Sequence, residues 1–152
     1  MNEKNSPITI VIVDDVPLYR NALRIALAAS YPNCTIFEET DGANVALTCR
    51  HTSPDIVITD LKMPVKDGFG VLEELYEISV DYPVMVLTAF ATIVALEKVT
   101  SSGCLGFVDK SSSMKTIIEG VDAVLEGKPY YSPYVHALIQ RHFKNERIGN
   151  GA

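Results

Sequence analysis

Five polar side chains stand at the ends of four apolar runs, and their types fit one kind of chemistry. Asp14 and Asp15 follow the run 8–13, Asp60 follows 55–59, Thr88 follows 83–87, and Lys110 lies just past 104–108. Three carboxylates brought to one point repel each other. Two unit charges about 4 Å apart interact by roughly 4 kcal/mol at an effective dielectric near 20. Such a cluster needs a cation or must hold protons. All-oxygen ligands with open positions suit Mg²⁺, which keeps several waters and accepts a phosphate oxygen. Lys110 adds a second positive charge and Thr88 a neutral hydroxyl donor. A carboxylate nucleophile, a metal, an ammonium and a hydroxyl together suit phosphoryl transfer to an aspartate, with Asp60 attacking in line.

For these residues to meet, the runs that carry them must lie side by side. Short apolar runs alternate with helical patterns along the chain. Residues 17–31 place Leu18, Ala22, Ile25 and Ala29 at helical spacing, and 68–79 place Phe69, Leu72, Leu75 and Tyr76 on one face. The stretch 113–126 does the same with Ile117, Val121, Val124 and Leu125, while 42–50 and 91–100 are further helix candidates and 35–38 is a weak strand. Strand runs that are apolar throughout must be covered on both faces. Five βα units predict an α/β fold with a doubly wound five-stranded parallel sheet. Ligands of such sheets bind at the carboxyl ends of the strands, near the switch in strand order, which is where the five polar residues fall.

After Gly127 the pattern changes. Lys128-Pro129 breaks the fifth helix. Tyr130, Tyr131 and Ser132-Pro133 read as an extended connector, with Ser132 capping an extra C-terminal helix and Pro133 in its first position. Val135, Leu138, Ile139 and His142 share one face of that helix, and the polar, glycine-ending stretch 144–152 predicts a frayed tail. The chain thus divides into a main domain over 1–127 and a connector with a short helix over 128–152.

Bulk properties narrow the setting. A chain of 152 residues fits one domain, and 47% apolar residues are enough for an ordinary core. A net charge of −6 argues against a chain that coats nucleic acid or anionic membrane by itself. The apolar runs are too short to span a bilayer, and Met1 to Pro7 has no apolar leader segment. Cys34, Cys49 and Cys104 are widely spaced and form no CxxC pair, so they read as reduced thiols of a cytoplasmic protein.

Taken singly, each signal has a plain structural explanation. Asp14-Asp15 is a turn or a helix cap, Thr88 another cap, Phe107 a core aromatic and Lys110 a solvated lysine. Together and in order, Val13-Asp14-Asp15, Asp60-Leu61-Lys62-Met63-Pro64 with Asp67-Gly68, Thr88-Ala89 and Phe107-Val108-Asp109-Lys110 resemble the receiver domains of two-component response regulators. The likeness runs from about Ile8 to Glu126. It implies a flavodoxin-like sheet of order 2-1-3-4-5 and a phosphoryl group accepted on Asp60 from a sensor histidine kinase. It further implies Mg²⁺ (or Mn²⁺) held by Asp14, Asp15, Asp60 and the backbone carbonyl of Lys62, Lys110 as the phosphoryl-binding lysine, and Thr88 with Phe107 as a switch pair. Self-phosphorylation and slow self-dephosphorylation, rather than enzymatic turnover, come with it.

The segment from Val124 to Pro133 is similar to the connector of regulators with a LuxR-type helix-turn-helix output, which implies control of transcription. The sequence ends where that output domain would begin, so a fragment and a stand-alone receiver both stay open. Contact with DNA would come only through such a domain. Lys62 and Phe90 lie two residues after Asp60 and Thr88, places that border the phosphoryl group in the family and bear on its lifetime. Ile93, Val94, Leu96 and Val99 give the fourth helix more apolar surface than one buried stripe needs. That surplus predicts a weak homodimer on phosphorylation, unless the Val135 helix folds back on its own domain. Two other readings compete. A haloacid-dehalogenase-type phosphatase also uses Asp, Mg²⁺, Thr and Lys, but its second carboxylate belongs two residues after the first, where Val16 stands. A degenerate receiver acting only as an interaction module is opposed by the intact Asp60 and Lys110.

Overall fold

The computed structural model describes residues 3–78 and 82–150. A 3-10 turn at Glu3–Asn5 leads into strand β1 (Ile8–Val13) and helix α1 (Pro17–Ser30). Next come β2 (Cys34–Glu39), α2 (Val45–Thr52), β3 (Ile56–Thr59) and α3 (Gly68–Glu77). The chain continues with β4 (Val84–Thr88), α4 (Ile93–Thr100), β5 (Gly106–Asp109), α5 (Met114–Leu125), β6 (Tyr130–Tyr131) and α6 (Pro133–Asn150). The strands form one parallel sheet of order β2-β1-β3-β4-β5-β6.

The sheet therefore has six strands where the βα repeats predict five. Tyr130 and Tyr131 do not merely connect. Tyr130 N–H donates to the Leu105 carbonyl at 3.1 Å and Ser132 N–H to the Phe107 carbonyl at 3.3 Å, so the segment pairs with the edge of β5. A two-residue strand leaves no periodicity to read, which is why the sequence shows only an extended connector.

Alternation along each strand sorts the core into two layers. Val11, Val13, Val57, Val86 and Phe107 face α2, α3, α4 and α6, while Ile10, Ile12, Ile58, Met85 and Val108 face α1 and α5. β1, β3 and β4 are buried along most or all of their length, but β2 at the edge alternates between half-buried and exposed. That is why its apolar signal is weak. The predicted helix at 42–50 begins later, at Val45. Gly42 N–H donates to the Lys66 carbonyl at 2.9 Å, and a Cβ on Gly42 would lie 2.4 Å from that oxygen, so this stretch is pinned to a neighbouring loop instead of coiling. The predicted third helix reached Ser79, which lies outside the described residues.

The C-terminal helix departs from expectation in two ways. It runs to Asn150, through most of the stretch predicted to fray, and His142 approaches Glu146 one turn on at 3.3 Å. The Ser132 hydroxyl accepts no helix N–H among the described residues: it donates to Asp109 Oδ1 at 2.5 Å and accepts from Asp109 N–H at 3.4 Å. The helix also folds back on its own domain. Val135 is fully buried in the layer holding Val99 and Phe107, and His142 lies 3.5 Å from Glu97 of α4. Leu96 packs against this layer, which leaves Val94 as the exposed apolar residue of α4, at 76% exposure.

Candidate phosphoacceptor site

Strand order reverses between β1 and β3, and the polar residues gather at the carboxyl ends there. Val13 pairs with Thr59, and Asp60 N–H donates to the Val13 carbonyl at 2.9 Å, which sets Asp14 and Asp60 side by side. On the other flank Thr88 pairs with Asp109, and Lys110 N–H donates to the Thr88 carbonyl at 2.9 Å. Parallel register thus carries residues from four distant places in the chain to one edge.

At that edge the Lys110 ammonium lies 2.7 Å from Asp14 Oδ2 and 2.8 Å from Asp60 Oδ2. Asp14 Oδ1 accepts from Val16 N–H at 2.9 Å, and Asp60 Oδ1 accepts from Leu61 N–H at 2.6 Å. Both carboxylates are buried, whereas Asp15 is exposed and has no hydrogen bond or ion pair among the described residues. Each of the three acids offers an oxygen, all within 4.8 Å of one another. Hard oxygen donors at that spacing, one of them uncommitted, fit Mg²⁺. Burial opposes the charge on Lys110, but hydrogen bonds to Asp14 and Asp60, helped by their charges, outweigh it and raise the ammonium above its ordinary value. Lys110 therefore favours the fold at any pH below its unfolded value of about 10.4, and that contribution fades only as the pH rises through the higher folded value.

The loop after Asp60 is held close. Gly68 N–H donates to the Leu61 carbonyl at 2.9 Å, and a Cβ on Gly68 would sit 2.1 Å from the Asp60 carbonyl oxygen, so only glycine fits. Asp67 caps α3 by accepting from Gly70 N–H at 2.9 Å. The same loop passes through Val65 at a φ of 67°, a left-handed conformation that costs an ordinary side chain on the order of 1–2 kcal/mol. Lys62 sits in this loop with its ammonium 3.6 Å from the centre of the Phe90 ring, bridging the loops that follow Asp60 and Thr88. Thr88 is fully buried, and its Oγ accepts from Phe90 N–H at 3.1 Å. Phe107 is also buried, on the α4 and α6 side of the sheet.

Three neighbours carry no role in the sequence reading. Asp109 accepts hydrogen bonds from the hydroxyls of Ser111, Ser112 and Ser132, which hold its carboxyl low although burial pushes it up. It ties the start of α6 to the residue next to Lys110. Arg20 donates to the Asp14 carbonyl at 2.7 Å and pairs with Glu38 at 3.2 Å, bracing the end of β1. The Tyr19 ring lies under the Lys110 ammonium, 4.4 Å from it. Burial first, then the charges of Asp14, Asp109 and Asp60, push the Tyr19 phenol up, so it stays protonated. Asp109 was legible as the neighbour of Lys110. Tyr19 and Arg20 could have been found only from their place in the first turn after Asp14-Asp15.

A doubly wound parallel sheet with an acid cluster and a lysine at its switch point is a class of phosphoryl or nucleotide site. The comparisons make it particular. The chain belongs to the response regulator receiver domain family, whose model matches residues 10–122. It is 29% identical over 125 residues to the glycerol metabolism activator of Pseudomonas putida, covering 82% of this chain and 57% of that protein. It is also 29% identical over 145 residues to the transcriptional regulatory protein DegU of Brevibacillus brevis, covering 93% of this chain and 61% of that one. A LuxR-family two-component response regulator from Aurantimonas sp. SI85-9A1 superposes with a TM-score of 0.83 at 26% identity, covering 90% of this chain and 98% of the other. The chain thus spans about six-tenths of the curated relatives it matches. Receiver domains are regulators, not classical enzymes, and bind Mg²⁺ at an acidic pocket. No helix among the described residues is long and apolar enough to cross a membrane.

Proposed function

We propose that Asp60 accepts a phosphoryl group from the phosphohistidine of a sensor kinase, and that the change passes through Thr88 and Phe107 to an output that controls transcription. The observation that carries this reading is the shared ammonium: Lys110 sits within 2.8 Å of Asp60 and Asp14 beside the exposed Asp15. An Asp60 oxygen attacks phosphorus as the histidine nitrogen leaves. Asp14, Asp15, Asp60 and the Lys62 carbonyl would hold a divalent ion, Mg²⁺ or Mn²⁺, which supplies positive charge against the phosphoryl oxygens. Lys110 then moves its hydrogen bond from the carboxylate to a phosphoryl oxygen. The Thr88 hydroxyl, accepting from Phe90 N–H, has its own proton to donate to another. That turn of Thr88 would change the room beside Phe107, which packs in the same layer as α4 and Val135. The division into a receiver over 1–127 and a connector over 128–152 belongs to this reading, with the Asp109–Ser132 hydrogen bond as the link between them.

The test is stoichiometry. With Mg²⁺ and acetyl phosphate, intact mass should rise by one phosphoryl group, while a small aryl phosphate should not be turned over. Steady turnover would instead support the phosphatase alternative, which the comparisons do not favour.

Two finer expectations accompany it. The phosphorylated state should be long-lived, because the Lys62–Phe90 pair lies between the loops where an in-line water would enter. Phe90→Glu removes that contact and adds a carboxylate able to orient water. Decay after donor removal should quicken by about three- to tenfold; an unchanged decay rate would count against this role. A weak homodimer favoured by phosphorylation also remains part of the proposal. Since α6 covers part of α4, the free surface there is reduced to the neighbourhood of Val94. Sedimentation should show association only at high concentration, and more with the phosphoryl mimic beryllofluoride. A monomer under both conditions would remove the dimer.

A further inference from the structure

We infer that Tyr19 is a positioning residue for phosphorylation, its ring face holding the Lys110 ammonium at the point where the Asp60 phosphoryl group forms. The inference rests on the phosphoacceptor reading and deepens it. An ammonium offers three N–H donors. Two directions are taken by Asp14 Oδ2 at 2.7 Å and Asp60 Oδ2 at 2.8 Å, and the Tyr19 ring lies against the same ammonium at 4.4 Å from the ring centroid. Helix α1 fixes that ring: Leu23, one turn on, is buried, and Tyr19 itself packs against the layer of Ile12, Leu23 and Val108.

A third carboxylate in the place of the ring would compete for the ammonium and hold it away from a phosphoryl oxygen. Open water would let the long lysine chain wander. An aromatic face does neither. It attracts the cation through its quadrupole but accepts no full hydrogen bond, so the N–H groups remain available to oxygen. The hydroxyl of Tyr19 supports this division of labour. It is buried and makes no hydrogen bond among the described residues. The group that touches Lys110 is therefore the ring, and the hydroxyl is dispensable.

The experiment compares wild type with Tyr19→Phe, Tyr19→Leu and Tyr19→Met, with thermal melting to confirm that each is folded. The methionine variant serves if leucine fails to fold. Two quantities are read. The first is the initial rate of phosphorylation by acetyl phosphate with Mg²⁺. The second, measured without metal, is the ring-current displacement of the Lys110 side-chain protons by NMR. Tyr19→Phe should keep both the displacement and a rate within about twofold of wild type. The leucine and methionine variants should lose the displacement and slow by about three- to tenfold, the range expected for one cation–π contact. A purely structural role would lower melting temperature without this split between ring-bearing and ringless variants. Ringless variants that phosphorylate at the wild-type rate, or a phenylalanine variant as slow as leucine, would overturn the inference while leaving Asp60 as acceptor. A wild-type protein that takes no label would overturn both.

Discussion

Asp60→Asn is expected to fold, to melt no lower than wild type, and to gain no phosphoryl mass under conditions that label the wild type fully. The amide oxygen of asparagine still accepts from Leu61 N–H, now 2.6 Å from Asp60 Oδ1, and Lys110 keeps its contact with Asp14 at 2.7 Å. What disappears is the anionic nucleophile. One negative charge also leaves a cluster of three, and repulsion between two charges about 4 Å apart is worth roughly 4 kcal/mol at an effective dielectric near 20. Loss of the Lys110–Asp60 attraction offsets part of that relief, so the net change in stability is expected to be small. The effect on labelling is expected to be all or none because Asp60 is the proposed acceptor. Asp14 and Asp15, which offer oxygens within 4.8 Å of it, are the carboxylates that would take the label if that assignment were wrong. Intact-mass measurement decides it. Equal labelling of the variant would mean the phosphoryl group goes elsewhere.

Asp15→Ala should weaken Mg²⁺ binding by at least about tenfold, or roughly 1.4 kcal/mol, and slow metal-dependent phosphorylation in proportion. The reason lies in how the three acids are occupied. Both oxygens of Asp14 and both of Asp60 already accept hydrogen bonds, at 2.6 to 2.9 Å. Asp15 alone can turn a carboxylate to an ion without giving up a partner. Asp14→Ala should cost the metal less and Lys110 more, since Asp14 holds the ammonium directly. Calorimetric titration with Mg²⁺ is the check, and identical binding curves for wild type and Asp15→Ala would refute the assignment of Asp15 as the direct ligand.

Much of the fold was legible because β1, β3, β4 and β5 are short, apolar and ended by a polar residue. Runs buried on both faces leave a continuous apolar signature, and helices that cover them leave a 3.6-residue period. Where one face is open, as in β2, the signature thins. Where the element is two residues long, as in β6, it vanishes. The start of α2 slipped where a tertiary contact overrides local preference, with Gly42 held by the Lys66 carbonyl. Helix α6 begins at Pro133 as predicted, but the Ser132 side chain bonds to Asp109 instead of accepting from the first turn of the helix.

The sequence by itself determined which polar residues stand at the carboxyl ends of strands, Asp14, Asp15, Asp60, Thr88 and Lys110, and an α/β sheet able to gather them. It did so because parallel βα units place every strand end on one edge whatever the loops do. Only the tertiary structure decided how these groups are shared out. It put Lys110 between Asp14 and Asp60 and left Asp15 free. It laid Lys62 on Phe90 and Tyr19 under Lys110. It also brought α6 back over α4 with Val135 in the core. These are contacts between residues far apart in the chain or turned by side-chain torsions, and neither composition nor periodicity carries the distance and direction that set them.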